Sequence, residues 1–300
     1  MTKRKLVALG GSTLMVSLPS RFVQSYGLKK GDEVTVTEQQ HSIVISTDKD
    51  YQANNIQLDV SGIKNILGRI VGALYKAGYD DIELRFKSTE ELALIQKELQ
   101  RTCLGFEVME QGKNHIVIKN VSKLDDDEFK NILRRAFLFL LDFSRDTLDA
   151  LKTGDKDYLE RVALRDIQIN KYMDFCRRTL NKRGAAIMKM VAPMYYILEQ
   201  IERIGDIYKY ICTENAKNPI KIDSHLQDLF EDVNEIVYNF YQLFYKFNLK
   251  SLDELATKKT ALQSKLNSLK NKDHNELVFR LNQIVNNIYD MNGALMMLNL

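Results

Sequence analysis

The chain has 300 residues, a length that predicts two or more domains. Hydrophobic residues make up 45% and charged residues 28%, which is the ordinary balance of a soluble protein. No apolar run is long enough to span a bilayer, and no basic and then apolar leader opens the sequence, so we expect no membrane insertion and a cytoplasmic location. The three cysteines, Cys103, Cys176 and Cys212, show no Cys-x-x-Cys spacing and are expected to be free thiols in a reducing compartment.

The first region, residues 1–47, is predicted to be a small β-rich unit in the order ββαββ. Gly10-Gly11 and Lys30-Gly31-Asp32 are turn signals, and Pro19 ends a segment of alternating apolar residues. Strands are predicted at 6–9, 14–18, 34–37 and 43–45, with a short helix at 20–26. A unit of this size is near the lower limit for folding alone, so we expect it to need a partner.

Basic residues are concentrated in this first region. It contains six basic and three acidic residues, so its net charge of +3 equals that of the whole chain. The pattern fits either a surface that neutralises nucleic-acid phosphates or a solvated terminus that keeps the protein soluble. The candidate DNA-binding residues are Lys3, Arg4, Lys5, Arg21, Lys29 and Lys30.

The middle region, residues 48–122, is predicted to be a small α/β unit in the order βαβαββ. Its first helix is expected over 61–77 and ends at Gly78. Ser88 and Glu91 have the spacing of a capping box at the start of its second helix.

The last region, residues 123–300, is helical in pattern throughout. Six amphipathic segments are predicted, at about 125–152, 155–182, 184–214, 222–247, 251–270 and 273–298. They form two groups of three of similar length, which favours two three-helix repeats (123–217 and 218–300), with one irregular six-helix bundle as the alternative. Pro193 is expected inside the third helix, where it would bend that helix.

The fourth of these segments is rich in aromatic residues on two faces. Phe240, Phe244 and Phe247 share a face at core spacing, while Tyr238 and neighbouring tyrosines form a second face that is available to a partner.

Acidic residues accumulate on two predicted helices of the first repeat. Asp166 falls on an apolar stripe with Asn170 one turn later, and Glu199, Glu202 and Asp206 share one side of the next helix. A carboxylate on a core face is costly unless it is paired, hydrogen-bonded or bound to metal. The pattern fits either a solvated acidic face paired with Arg203 or Lys209, or an oxygen-rich site for a cation. No nucleophile constellation, P-loop or dinucleotide fingerprint is present, so we expect no enzyme activity.

The first region resembles the AbrB/SpoVT family of swapped-hairpin DNA-binding domains. The resemblance lies in Gly-Ser-Thr-Leu-Met-Val-Ser-Leu-Pro at 11–19 and in Gly-Leu-Lys-Lys-Gly-Asp-Glu-Val-Thr-Val at 27–36. It implies an intertwined homodimer that contacts DNA through basic residues.

The helical region resembles PhoU, the phosphate-uptake regulator built from two three-helix repeats. The best match is Leu-Glu-Gln-Ile-Glu-Arg-Ile-Gly-Asp at 198–206. Glu202 and Asp206 match one metal-binding motif of that family, and Asp166 with Asn170 resembles the motif of the facing helix. Glu199 rests on spacing alone. The resemblance implies a divalent or trivalent metal in the first repeat only, because Asn286 replaces the glutamate in the second.

The fold expected from these observations is multidomain α+β, with a β-rich swapped-hairpin head, a small α/β middle unit and an all-α region of two repeats. The function expected is a dimeric DNA-binding transcription regulator of phosphate uptake, whose helical region senses phosphate status through metal or a partner. The alternative is a signalling adaptor that docks on a phosphate transporter or signalling kinase, with the head serving only to dimerise.

Overall fold

A computed structural model describes residues 3–39, 42–47, 55–122, 126–269 and 275–300. The chain divides into two compact units, Met1–Ile56 and Gln57–Leu300. The expected α+β class is confirmed: a small β region is followed by an α/β part and a long helical part. The predicted boundaries at 47/48 and 122/123 stay predictions.

The N-terminal unit is built from two short hairpins and one helix. Strand β1 (Val7–Leu9) pairs antiparallel with β2 (Thr13–Met15) across a turn in which Gly10 has a φ of 68°. Helix α1 (Ser20–Ser25) follows, and then β3 (Thr35–Gln39) pairs antiparallel with β4 (Ser42–Ser46). The predicted order ββαββ is confirmed. His41 lies outside the described residues. None of the described residues in this unit is buried.

The α/β part begins at the boundary of the two units, which falls within its first strand, and it confirms the predicted order βαβαββ. It comprises β5 (Asn55–Asp59), α2 (Leu67–Ala77), β6 (Asp81–Arg85), α3 (Thr89–Thr102), β7 (Phe106–Gln111) and β8 (His115–Asn120). The sheet order is β5-β6-β8-β7, with β8 antiparallel to both of its neighbours. Alternate residues of β6 and β8, such as Ile82 and Ile118, are buried, because one face of the sheet packs in the core.

Local signals define the ends of the two helices of this part. Gly78 closes α2 in the left-handed conformation, with a φ of 97°. Ser88 and Glu91 form the predicted capping box at the start of α3. Glu91 does more than cap: its carboxylate also accepts the backbone N–H of Gly62 at 2.8 Å and of Lys87 at 2.7 Å. One buried side chain therefore joins the loop after β5 to the loop after β6.

The helical part contains α4 (Asp126–Thr153), α5 (Lys156–Ala163), α6 (Asp166–Ile187), α7 (Val191–Lys217), α8 (Ser224–Tyr245), α9 (Leu249–Ser268) and α10 (Asn275–Asn299). Helices α8, α9 and α10 contact one another and form a three-helix bundle. Helices α4, α6 and α7 likewise contact one another, and the short α5 packs on α4 and α7 beside them. The two groups of helices join where α7 packs on α10 and α4 packs on α8. One continuous apolar core runs through both. No described helix is long and apolar enough to cross a membrane.

The prediction of one continuous helix over 155–182 is wrong. The segment divides into α5 and α6 at Leu164 and Arg165, where the chain passes through i→i−3 hydrogen bonds such as Ile167 N–H to Leu164 O at 3.2 Å. This division places Asp166 in the first turn of α6, where the positive end of the helix dipole favours a carboxylate.

Two further expectations about breaks are also wrong. Helix α6 continues through Gly184, where a Cβ would lie 2.7 Å from Val191, so this glycine serves close packing of α6 on the start of α7. Pro193 is the third residue of α7 rather than an interior one. A proline in the first turn removes no helical hydrogen bond, and it therefore has no reason to bend α7 there.

The α/β part and the helical part belong to one compact unit. Helices α2 and α3 contact each other, and both also contact α6. Helix α6 thus has two sets of neighbours: the α/β part, and the helices of the first bundle.

Candidate functional site

The predicted acidic residues lie on α6 and α7, which approach closely at Gly205. A Cβ on Gly205 would lie 3.2 Å from the Ile169 side chain, so the small residue sets the spacing of the two helices. The chain runs back along α6 as it forms α7, so the end of the acidic face of α7 meets the start of α6.

Asp166 and Asp206 meet at one lysine. Lys209 Nζ donates to Asp166 Oδ2 at 2.7 Å and also pairs with Asp206 one turn away on its own helix. Asn170 Nδ2 donates to the same Asp166 oxygen at 3.1 Å. The Asp166 side chain is 1% exposed, as its place on the apolar stripe predicted.

Burial disfavours the charged forms of both Asp166 and Lys209, and their contact opposes this effect. Burial raises the pKa of Asp166, and the hydrogen bond from Lys209 opposes that shift. Burial also acts to lower the pKa of Lys209, but its contacts with Asp166 and Asp206 outweigh that effect and leave the pKa raised. The lysine therefore stays a firm cation between two carboxylates.

Glu199 and Glu202 meet at a different cation, Arg177 of α6. The Arg177 side chain is 2% exposed; its Nε lies 2.7 Å from Glu199 Oε1, and its Nη1 donates to Glu202. Nη1 also donates to Asp174 Oδ1 at 2.9 Å, and Lys76 Nζ of α2 lies 3.1 Å from that same oxygen. Three carboxylates thus surround one buried guanidinium.

The electrostatics of this second cluster resemble those of the first. Burial raises the pKa of Glu202, and the charge of Arg177 opposes the shift. Burial acts to lower the pKa of Arg177, but Glu202, Glu199 and Asp174 together leave it above its ordinary value. Arg177 carries a permanent charge in any case, because guanidinium does not lose its proton in proteins.

The five predicted metal ligands therefore form two separate groups. Asp166 and Arg177 are eleven residues apart on α6, which at 1.5 Å per residue is about 16 Å along the helix. Asp166 and Asp206 pair with Lys209, and Asn170 hydrogen-bonds Asp166, while Glu199 and Glu202 pair with Arg177. The described residues contain no group of three or more His, Cys, Asp or Glu side chains that could hold a metal ion.

The chemistry of these groups does not fit a metal ion as the side chains are placed. Asp166 Oδ1 and Asn170 Oδ1 are buried without a hydrogen-bond partner and are suitable ligand atoms. However, Lys209 Nζ already lies at the other oxygen of the same Asp166 carboxylate. A second cation about 4 Å from Nζ would be repelled by about 4 kcal/mol per unit of charge at an effective dielectric constant of 20. The metal stays a prediction, and these fixed cations oppose it.

Arg178, the residue after Arg177, makes contacts with the α/β part that the sequence analysis did not predict. It is 1% exposed, and its guanidinium donates to Asp80 Oδ1 at 2.5 Å and to Tyr75 O at 2.7 Å. It also lies over the rings of Tyr75 and Phe106, at 5.1 and 4.7 Å from their centroids. Consecutive arginines of α6 thus contact α7 and the α/β part. The available signal was a pair of basic residues within an apolar helix segment.

The candidate DNA-binding residues lie in the N-terminal unit. All six are exposed: Lys3, Arg4, Lys5, Arg21, Lys29 and Lys30. Arg4 Nη1 donates to Ser17 Oγ at 2.8 Å, which holds the segment before β1 beside the end of β2. Lys29 and Lys30 lie next to a turn in which Lys29 N–H donates to Asp32 at 2.6 Å. Their role in DNA binding stays a prediction.

Comparisons with known families agree with both predicted resemblances. Residues 7–52 match the family described as antidote-toxin recognition MazE, bacterial antitoxin, which is AbrB/MazE-like. Residues 133–215 match the PhoU domain. Comparison with curated proteins and with solved structures gave no match.

The two matches cover different parts of the chain. The PhoU match lies within the predicted first repeat and includes every residue of the two acidic clusters except Lys76. The AbrB/MazE-like match covers the two hairpins. Both families are regulatory rather than enzymatic, and together they support a phosphate-related regulatory protein.

Proposed function

We propose that this protein is a dimeric DNA-binding transcription regulator of phosphate uptake. The observation that carries the proposal is the lack of a core in the described part of the N-terminal unit: its hairpins hold apolar residues such as Val7 and Leu14, yet none of its described residues is buried. Apolar strands without a core need a partner to cover them. A second copy of the same unit supplies matching strands, and this is the dimer that the AbrB/MazE-like match supports.

The basic residues of the unit suit DNA as the ligand of that dimer. Lys3, Arg4 and Lys5 precede β1 in a run of three cations, and a dimer presents this run twice. Exposed lysine and arginine bind phosphates and release counterions, which supplies affinity for DNA without a deep pocket.

The helical part is the proposed sensor of phosphate status, on the strength of its PhoU match. Because Arg177 and Lys209 already neutralise its acidic face, we favour a protein partner rather than a metal ion as the carrier of the signal. Exposed aromatic side chains, among them Tyr238 and Tyr245 of α8, provide apolar surface for such a partner.

The same aromatic surface favours a second candidate function, a signalling adaptor. In that case the helical part docks on a phosphate transporter or a signalling protein, and the N-terminal unit serves only for dimerisation. The two functions differ in one property: the regulator binds DNA, and the adaptor does not.

A binding experiment with the DNA upstream of the protein's own gene separates them. Full-length protein is titrated into labelled upstream DNA, with and without phosphate, beside a variant that lacks residues 1–47. The proposal expects tight binding by the full-length protein and its loss in the variant. Equal binding by both proteins would rule out the N-terminal unit as the DNA-binding element.

A further inference from the structure

We propose that Arg177 and Lys209 act as built-in cations between α6 and α7, so that this PhoU-like bundle neutralises its acidic face without a metal ion. The resemblance to PhoU implies a metal at this face, and the residues present disagree with that implication. The inference does not depend on whether the N-terminal unit binds DNA.

The first support is the position of each cation. Lys209 Nζ lies between carboxylates from two helices, Asp166 of α6 and Asp206 of α7. Arg177 likewise joins Asp174 of its own helix to Glu199 and Glu202 of α7. Each cation joins the two helices through their carboxylates, which is the role that a bridging metal ion would have.

The second support is the balance of charge. The cluster at Lys209 contains two carboxylates and one ammonium, and the charge of Arg101 from α3 also acts on Asp166. The cluster at Arg177 contains three carboxylates, one guanidinium and the ammonium of Lys76. Each cluster therefore keeps no more than about one uncompensated negative charge. A divalent or trivalent ion would be attracted only weakly by that charge, and it would have to compete with the fixed cations.

The third support is the mixture of unpaired atoms. At the Lys209 cluster, the buried atoms without a hydrogen-bond partner include the acceptors Asp166 Oδ1 and Asn170 Oδ1, and also the donor Nε of Arg101, whose charge acts on Asp166. A metal ion would satisfy only the acceptors. Buried water, which both donates and accepts, suits a mixture of this kind.

The test measures metal binding and thermal stability of the full-length protein. Purified protein is first assayed for metal content, then dialysed against a chelator and heated with and without Mn²⁺ or Zn²⁺. The proposal expects no stoichiometric metal in the purified protein and no change of Tm with chelator or metal. A ligand present at 100 times its Kd raises the Tm of a unit of this size by about 5–10 °C, so binding would be visible.

A lysine variant makes the test sharper. Lys209→Met removes the cation and leaves an unbranched side chain one atom shorter, with Asp166 and Asp206 facing each other beside Asn170. The proposal expects this variant to melt below the wild type and to recover several degrees with Mn²⁺ or Zn²⁺. Lys258→Met is the matched control: Lys258 pairs with Glu235 at 2.7 Å on the surface of the second bundle, and its loss creates no metal response.

Three results would overturn the proposal. The first is stoichiometric metal in the wild-type protein. The second is a rise of its Tm with metal that Glu202→Gln or Asp206→Asn abolishes. The third is a folded Lys209→Met variant that shows no response to metal. If Lys209→Met does not fold, the metal content and Tm of the wild type still decide the question.

Discussion

Arg178 and Asp80 form an ion pair of 2.5 Å between α6 and the residue that precedes β6. The arginine is almost fully buried, whereas Asp80 is partly exposed and also pairs with Lys182. The pair joins the α/β part to α6, the helix that also carries Arg177 and Asp166. The docking of the α/β part and the geometry of the acidic face therefore both depend on α6.

Asp80→Ala tests that docking. The change leaves Arg178 buried without its carboxylate, and removal of one partner of a buried pair costs about 3–5 kcal/mol of unfolding free energy. We expect a loss of about 3 kcal/mol, since Asp80 is partly exposed, as measured by urea denaturation. The matched control is Asp81→Ala, because Asp81 pairs with exposed Lys119 at 3.4 Å and should change stability by less than about 1 kcal/mol. Equal effects of the two variants would contradict the docking role of Arg178.

Leu14→Asp tests the dimer. Leu14 is 65% exposed in the single chain, so the change removes no packing within one copy. Full burial of a leucine contributes about 1.5–3 kcal/mol, and a dimer would lose this contribution twice. We expect the wild type to sediment at twice the chain mass of 34.7 kDa and the variant to sediment as a monomer. Val121→Asp, at a 59% exposed residue of the second unit, is the control that should stay dimeric. A dimeric Leu14→Asp variant would place the self-contact elsewhere.

Glu91→Gln tests the carboxylate that joins two loops of the α/β part. Hydrogen bonds from the backbone N–H groups of Lys87 and Gly62 lower the pKa of Glu91 below its ordinary value of 4.5. A lowered pKa in the folded state means that the stabilisation is complete above about pH 4.5 and is lost as the pH falls through the folded-state pKa.

The expected result is a Tm gap between wild type and Glu91→Gln that is widest near pH 7 and narrows below about pH 4.5. Glu90→Gln is the neighbouring control, since Glu90 makes only an exposed pair with Lys64 in the described structure, and its Tm should stay close to that of the wild type. A gap for Glu91→Gln that is constant from pH 7 to pH 3 would show that its charge has no part in the stabilisation.

Thiol labelling tests the packing of the α/β part and of the helical core. Cys103, Cys176 and Cys212 are buried and free, and burial raises the pKa of Cys103 and of Cys212 to about 12. The thiolate is the reactive form, so a native sample at pH 8 should react with a thiol reagent far more slowly than an unfolded one. Rapid reaction of any one cysteine in the native protein would contradict its burial.

The sequence predicted those features that depend on local signals. Gly78 ends α2 and Ser88 begins α3 as expected, because capping depends on residues within one turn. The burial of Asp166 also followed from its place on an apolar stripe. The separation of α5 from α6 could not be predicted, because no glycine or proline marks it.

The pairing of Arg177 and Arg178 with acidic residues could not be predicted from the sequence for a different reason. Arg177 and Arg178 were missed because basic residues on a helix are usually solvated, and their partners lie far away along the chain: Glu202 is 25 residues from Arg177, and Asp80 is 98 residues from Arg178. Lys209 was considered as a partner of the acidic residues, and the structure places it beside Asp166 and Asp206. Side-chain pairs of this kind become visible only when the packing of the helices is known.

The most direct test of the proposed function is the salt dependence of DNA affinity. The logarithm of the binding constant falls with the logarithm of salt concentration by about 0.9 for each phosphate contacted. Wild-type protein should bind its upstream DNA with a steep slope, and Lys3→Ala, Arg4→Ala and Lys5→Ala combined should bind more weakly with a shallower slope. The control is Lys258→Ala in the second unit, where Lys258 pairs with Glu235. It removes a cation outside the N-terminal unit and should keep the wild-type slope. Absence of DNA affinity at every salt concentration, or an unchanged slope in the triple variant, would contradict DNA binding by the N-terminal unit through these residues.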